Sequence, residues 1–268
     1  MTILVTAATG NIGRKVVDHL LERGATAVRA LTIDPDRAAL PPTVEVVTGY
    51  LRRVDTLPGV FDGVSGMYLA PTPETVAEVL RLAREAGVEH VVDLSGEPET
   101  WWGDVTRAVE NSGIPWTHLW PGDFMENSLV WADQIRRTGA VHEPYPQAAS
   151  SPIAMDDIAS VAATALLDTA VQGKAHLLTG PETLTRAQQV AHIGAALGRD
   201  IPFLTASREE TLDHLRPAMG ENAEWFVDNV LAMFDEEPMY ANNAVEEITG
   251  QPATTFAGWA RAHAHEFR

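Results

Sequence analysis

Strand-like and helix-like segments alternate about six times over the first 123 residues, and this rhythm constrains the fold more than any other feature. Ile3-Leu4-Val5 is a continuous apolar run, as a strand buried on both faces requires. Ile12, Val16, Val17, Leu20 and Leu21 then recur at helical spacing, and Gly24 fits the C-terminal cap. The same patterning predicts strands at 27–32, 44–47, 67–70, 88–94 and 116–120, with helices at 75–86 and 104–111. Strands that alternate with helices form a parallel sheet with right-handed crossovers and helices on both faces. The expected fold class is therefore α/β, a Rossmann-type doubly wound parallel sheet with a smaller mixed C-terminal lobe. Beyond Asp123 the rhythm changes, with helices expected at 156–167, 186–197 and 208–236 and a strand at 175–178. The organisation expected is a dinucleotide-binding domain over 1–150 and a substrate lobe over 151–268, packed on the sheet.

Charge removes several function classes. The 268 residues include 37 acids and 19 bases, for a net charge of −18, and the only lysines are Lys15 and Lys174. A nucleic-acid surface needs clustered Lys and Arg to neutralise phosphates, so no nucleic-acid partner is expected, nor an anionic membrane surface. There are no cysteines, which excludes disulfides, thiolate metal sites and a cysteine nucleophile. No apolar run approaches the roughly 18–20 residues that span a bilayer, and the N-terminus has no basic signal-peptide region. A cytoplasmic location is the expectation. His263-Ala264-His265-Glu266 spaces its histidines at i, i+2, which do not share a helix face, so no metal site is expected. Gly-x-Ser-x-Gly, His-Glu-x-x-His and Gly-x-x-x-x-Gly-Lys-Ser/Thr patterns are absent.

The segment Val5-Thr6-Ala7-Ala8-Thr9-Gly10-Asn11-Ile12-Gly13 lies between the first strand and the first helix. In a dinucleotide-binding turn the glycines allow a tight bend, close approach of the pyrophosphate and close helix–strand packing. The helix N-terminus adds free N–H groups and a partial positive charge. Gly10 and Gly13 hold two of these positions and Ala7 holds the first. Thr6, Ala7, Thr9, Gly10, Asn11, Ile12, Gly13 and Arg14 are thus expected around the phosphates, with Thr32 at the end of strand two. Ligands of open α/β sheets bind at the carboxyl ends of the strands. That places Pro71 and Thr72, after strand four, beside the nicotinamide.

The run Ile3 to Arg14 resembles the start of an NmrA-like atypical short-chain dehydrogenase/reductase. The resemblance continues through Val28-Arg29-Ala30-Leu31-Thr32, Ser112-Gly113-Ile114-Pro115-Trp116-Thr117 and Pro121-Gly122-Asp123-Phe124-Met125-Glu126-Asn127. It extends to Asp156-Asp157-Ile158-Ala159, Leu178-Thr179-Gly180-Pro181-Glu182 and Thr249-Gly250-Gln251-Pro252. It implies a Rossmann domain with a C-terminal substrate lobe, NAD(P) binding, and a role between quinone or carbonyl reduction and redox sensing. Three positions depart from the family pattern. Ala7 replaces the first glycine, Ile33 stands where NADP-binding members place an arginine, and Tyr50 replaces an aspartate near the adenine. Arg14, Arg29 and Arg37 are the candidate partners of a 2′-phosphate, so NADP is the expected cofactor and NAD the alternative.

The tyrosine–lysine pair of short-chain dehydrogenases requires Tyr-x-x-x-Lys, which puts both groups on one helix face. Tyr50, Tyr68, Tyr145 and Tyr240 all lack a lysine four residues on, and the family's lysine position aligns with Gly103. A reductase without the pair needs good cofactor positioning and a substrate that requires little acid help. Quinones, conjugated carbonyls and bulky aromatics qualify. Ser95, after strand five, and Asp123, after strand six, are the candidate catalytic groups. Trp101, Trp102 and Met125 are the candidate walls of a small-molecule pocket between those strand ends and the lobe. The expected activity is NAD(P)H-dependent reduction, with a dinucleotide-sensing regulator or non-redox use of the pocket as alternatives.

Overall fold

In the computed structural model, which describes residues 1–100 and 102–268, β1 (Thr2–Val5) runs through a turn into α1 (Gly13–Glu22). Then come β2 (Val28–Thr32), β3 (Glu45–Thr48), β4 (Val64–Leu69), α2 (Val76–Glu85), β5 (His90–Leu94), α3 (Gly103–Asn111) and β6 (Trp116–Pro121). A 3₁₀ stretch Met125–Trp131 leads into α4 (Ala132–Thr138), β7 (Val141–Glu143), β8 (Ala149–Ser150), α5 (Met155–Leu167) and β9 (Ala175–Leu178). β10 (Leu184–Thr185), α6 (Arg186–Leu197), β11 (Phe203–Thr205), α7 (Arg208–Met219) and α8 (Asn222–Trp225) follow. A π-helical stretch Phe226–Leu231 joins α8 to α9 (Ala232–Glu236), and α10 (Ala244–Thr249) and α11 (Phe256–Ala262) complete the chain.

The main sheet has seven parallel strands in the order β3-β2-β1-β4-β5-β6-β9. The order reverses between β1 and β4, and open sheets bind ligands at the carboxyl ends beside such a switch point. One face carries α2 and α3. Val79, Leu80 and Ala83 of α2 and Val105 and Val109 of α3 pack there on Leu4, Leu31, Met67, Leu69 and Val91. Each fully buried Val or Leu contributes about 1.5–3 kcal/mol. The other face is covered by α1 and α5, and the small Ala159, Ala162, Ala163 and Ala165 of α5 are buried there.

The chain forms two compact units: Met1–Pro121, Met155–Leu178 and Ala244–Gln251 make the first, and Gly122–Ala154, Thr179–Asn243 and Pro252–Arg268 the second. The chain therefore passes between units several times, and a single cut at 150 does not describe it. The physical reason is that β9 pairs with β6 as the seventh strand and α5 covers the sheet. In the second unit, Trp131, Ile135, Val190, Ile193, Phe256, Trp259 and Phe267 form a core. The expected helix 208–236 is broken. Pro217 removes a backbone donor near the end of α7, and Gly220 after it has φ +58°. Among the described residues no helix is long and apolar enough to cross a membrane.

Candidate active site

The turn after β1 folds back on its own backbone. Ala7 has φ +47°, a left-handed conformation, and its carbonyl accepts the Gly10 N–H at 2.8 Å. A Cβ on Gly13 would collide with the Ala7 carbonyl oxygen and lie 2.8 Å from the carbonyl carbon. At Gly10 a Cβ would lie 3.2 Å from the same oxygen. Gly13 is thus required by the fold, whereas Gly10 leaves backbone open to a ligand. The Ala8 N–H donates to the Leu31 carbonyl at 3.1 Å, which docks the turn on β2. α1 starts with no side-chain cap and no acid in its first turn, so its positive end is uncompensated by the protein.

The left-handed conformation costs an alanine about 1–2 kcal/mol, while glycine loses about 0.5–1 kcal/mol more conformational entropy on folding. Ala7→Gly should therefore stabilise the protein by about 0.5–1 kcal/mol with dinucleotide affinity equal or better. Thermal unfolding and calorimetric titration of the variant read both quantities, and a lower melting temperature would refute the strain.

Other expected cofactor residues divide into those the fold consumes and those it leaves available. The Thr6 hydroxyl donates to the Tyr68 carbonyl at 2.9 Å and accepts the Ala70 N–H at 2.8 Å, so its side chain ties β1 to β4. Thr9 and Thr32 join their hydroxyls at 3.2 Å, and Thr32 also accepts the Asp34 N–H. Arg14 donates to the carbonyls of Ala38 and Ala39 at 2.9–3.0 Å, which fixes the loop after β2. Arg29 does not serve the adenosine end. It lies one residue into β2, paired with Glu45 at 2.9 Å and with the carbonyls of Val60 and Asp62. Arg37 is exposed past the carboxyl end of β2, and among the described residues its guanidinium has no partner; Ile33, the residue after β2, is 65% exposed. Tyr50 is half-buried just past β3, its N–H bonded to the Thr56 hydroxyl. Asn11 and Ile12 complete the turn, with Ile12 at the N-cap of α1.

After β4, Pro71 is half-buried and the Thr72 carbonyl accepts the N–H groups of Thr75 and Val76. The Thr72 hydroxyl is buried and has no partner. An orphaned buried hydroxyl next to the sheet's switch point, a glycine cradle and an uncapped helix together fit a dinucleotide. The turn would hold the pyrophosphate of such a dinucleotide, whose nicotinamide would supply a hydride.

At the end of β5 the Ser95 N–H donates to the Leu119 carbonyl at 3.1 Å, and the Thr106 hydroxyl of α3 reaches Ser95 Oγ at 3.1 Å. Gly103, the position at which the resemblance puts the family's lysine, begins α3. A Cβ there would collide with the Pro98 carbonyl, so the position has no room for a side chain. Lys15 instead pairs with Asp156, whose carboxyl is held at about 2, chiefly by His19, and Lys174 reaches the Ala170 carbonyl. Trp102 is half-buried beside Gly96 and packs on the α2–α3 core. Trp101 lies outside the described residues.

In the second unit each oxygen of the Asp123 carboxylate accepts a hydrogen bond from a neighbouring side chain. Asn127 Nδ2 donates to Oδ1 at 2.9 Å and Ser150 Oγ to Oδ2 at 2.7 Å. Met125 is fully buried in the core of that unit, which also holds Trp131, Ile135 and Phe256, so it is not an accessible pocket wall. Sequence reading missed Asp93 and His118, two fully buried groups that share a 2.6 Å hydrogen bond. Burial raises the Asp93 carboxyl, against the opposing effects of His118 and Ser95. The signal was a carboxylate and an imidazole in the middle of strands expected to be apolar on both faces.

An NAD(P)H-binding family model matches residues 7–97. The (4-alkanoyl-5-oxo-2,5-dihydrofuran-3-yl)methyl phosphate reductase of Streptomyces griseus is 34% identical, covering 99% of each chain. An NAD(P)H azoreductase of Xenophilus azovorans is 32% identical over 99% of each chain. Among solved structures, an NADPH-dependent quinone oxidoreductase of Escherichia coli complexed with NADPH superimposes with TM-score 0.87 at 20% identity over all of both chains. A triphenylmethane reductase of Citrobacter gives 0.86 at 20% identity, covering 98% of this chain and 99% of its own. The fold and the turn define an NAD(P)-binding Rossmann protein. The chain belongs to the NmrA-like atypical short-chain dehydrogenase/reductase family, and it is an NAD(P)H-dependent reductase.

Proposed function

We propose that this protein uses NADPH to reduce a bulky conjugated substrate, a quinone, azo compound or aromatic carbonyl, with Ser95 as the hydrogen-bonding group at the reacting atom. The observation that carries the reading is Gly103. The backbone has no room for the lysine of the tyrosine–lysine mechanism, so the substrate must accept hydride with little acid help. The azoreductase and furanone-phosphate reductase likenesses support a conjugated acceptor. Ser95 sits at the carboxyl end of β5, two strands from the turn, with Thr106 Oγ1 at 3.1 Å from its Oγ. Pro71 and Thr72 line the nicotinamide end of the site, and Trp102 supplies an aromatic wall. Asp123 acts by holding β8 and the start of the second unit rather than by proton transfer. The reading includes a cytoplasmic location, where reduced nucleotides are available, and a small-molecule partner rather than nucleic acid.

Arg37 is the group assigned to the 2′-phosphate. A charge-assisted hydrogen bond is worth about 1.5–3 kcal/mol, so Arg37→Ala should weaken NADPH binding by roughly ten- to a hundredfold and leave NADH unchanged. Calorimetric titration with all four oxidised and reduced dinucleotides checks this. Equal loss for NADPH and NADH would remove Arg37 from the site. A panel of quinones, azo dyes and aromatic ketones tests the substrate class. Tight cofactor binding without turnover of any member would replace this reading with a sensor.

A further inference from the structure

The second unit contains arginines that no carboxylate holds, although acids are abundant there. Its residues include sixteen acids, eight arginines and no lysine. Four of the arginines are paired: Arg137 with Asp133, Arg186 with Glu143, Arg208 with Asp228, and Arg216 with Asp213 and Glu224. Arg136, Arg199, Arg261 and Arg268 have no ion pair among the described residues. Three of those four, Arg136, Arg199 and Arg268, line one surface cleft of about 500 Å³ together with Leu197.

The walls of this cleft are fixed elements. Arg136 is in the last turn of α4, and its Nη1 donates to the Glu266 carbonyl. Glu266 belongs to a 3₁₀ turn, Ala264–Phe267, whose Ala264 and Phe267 are buried. That turn packs on both α4 and α6. Arg199 follows the left-handed Gly198 that ends α6, and its N–H donates to the Gly194 carbonyl at 3.1 Å. Leu197, the last residue of α6, packs against the core of Trp131, Ile135 and Phe267. The backbone thus sets where the three side chains start, and all three are exposed.

Helix carboxyl ends favour a nearby cation, which accounts for Arg136 and Arg199 one at a time. It does not account for their convergence with Arg268, because like charges around one cleft repel. The acids adjacent in sequence bring no relief. Asp200 has no ion pair among the described residues, and the Glu266 carboxylate lies 3.3 Å from His265. The cleft is also remote from the polar groups at the start of α6. There Arg186 and Gln189 reach Glu143 and Ser150, and the axis runs roughly 16 Å from Arg186 to Leu197.

We propose that this cleft binds a small diphosphate-bearing anion, held by the guanidiniums of Arg136, Arg199 and Arg268, at a site separate from the dinucleotide turn. The planar fork of arginine meets two phosphate oxygens at once, and a diphosphate offers several oxygens and a charge that three cations balance. Ligand pockets commonly measure about 300–1,000 Å³, so the volume suits a diphosphate that carries an organic group as well as the free anion. The acidic surface elsewhere on the chain repels long polyanions, which leaves small ones as the fitting class.

Calorimetric titration of the full-length protein with inorganic pyrophosphate, at about 0.15 M salt and without divalent cations, tests the site. With NADP+ saturating, one equivalent of pyrophosphate should still bind, and the unfolding temperature should rise by a few degrees. Loss of all pyrophosphate binding on adding NADP+ places the anion at the turn and overturns the cleft. Arg199→Ala and Arg268→Ala have no internal partner to lose. Each should weaken pyrophosphate about tenfold or more, with the ligand-free melting temperature and NADP+ affinity unchanged. Arg199→Lys should lose most of the same affinity, since an ammonium is a point charge without the fork. Arg261→Ala removes the same charge outside the cleft and should bind like wild type. No binding to wild type, full affinity in both alanine variants, or an equal loss in Arg261→Ala refutes the proposal. ADP then distinguishes the sources: tighter binding than pyrophosphate identifies a nucleotide as the occupant, and equal or weaker binding identifies the free anion.

Discussion

Gly13→Ala should weaken dinucleotide binding by about a hundredfold or more and lower the melting temperature, whereas Gly10→Ala should leave the fold intact. Both positions face the same atom, the Ala7 carbonyl oxygen, and the difference is distance. At Gly10 the added carbon would sit 3.2 Å away, a contact that a few tenths of an ångström relieves. At Gly13 the added carbon overlaps the carbonyl, and both partners are backbone. Ala7 has no slack to give, because it is already held at φ +47°. The turn must open, which separates the Gly10 N–H from its acceptor and moves the start of α1. Overpacking of this kind costs about 1–3 kcal/mol in stability. The lost cradle should weaken NADPH by about a hundredfold or more, close to 3 kcal/mol. Gly10→Val should separate the two roles again, with a native melting curve but no binding, since its bulk stands where the pyrophosphate approaches. Calorimetry and thermal unfolding on the three variants give the answer. Native affinity in Gly13→Ala would show that the phosphates lie elsewhere.

The nucleotide-binding half was legible because its signals are local. A two-faced buried strand, a glycine turn and a helix of period 3.6 stand in sequence at Ile3 to Leu21, and the order of apolar runs gave the parallel sheet. β4 begins three residues before its expected start, because pairing with β1 and β5 extends it back to Val64. What was not legible is pairing across distance. Arg29 looks like a phosphate ligand until its place near the start of β2 puts it at the wrong end of the sheet. Asp93 and His118 are 25 residues apart, and only the register of β5 on β6 makes them partners. Met125 lies in a motif that suggests a pocket, yet its side chain turns into the second unit's core. The missing lysine was visible as an absence; that the Pro98 carbonyl leaves no space for one was not.

The second unit has its own point of failure, and Arg186→Met should find it. Arg186 Nε and Nη2 each donate to one oxygen of Glu143 at 2.7 Å, and Trp131 Nε1 donates to Oε1 at 2.7 Å. The guanidinium lies over the Trp131 ring at 4.4 Å and near Phe226 at 5.8 Å. Arg186 is 4% exposed and Glu143 not at all. Removing the arginine leaves a carboxylate inside the core with one neutral donor, a loss of about 3–5 kcal/mol in comparable buried pairs. Glu143→Gln should cost less, because the amide keeps an acceptor for Trp131 while stranding the arginine beside two aromatic faces that partly solvate it. The double variant Glu143→Leu, Arg186→Met removes both charges at once. It should be more stable than Arg186→Met alone, by more than additivity allows, since an unpaired ion and not the lost bond dominates the single change. Denaturant unfolding of the set measures each step. If Arg186→Met costs under about 1 kcal/mol, or the double variant is no better than the single, then solvent reaches Glu143 and the pair is a surface bridge in energetic terms.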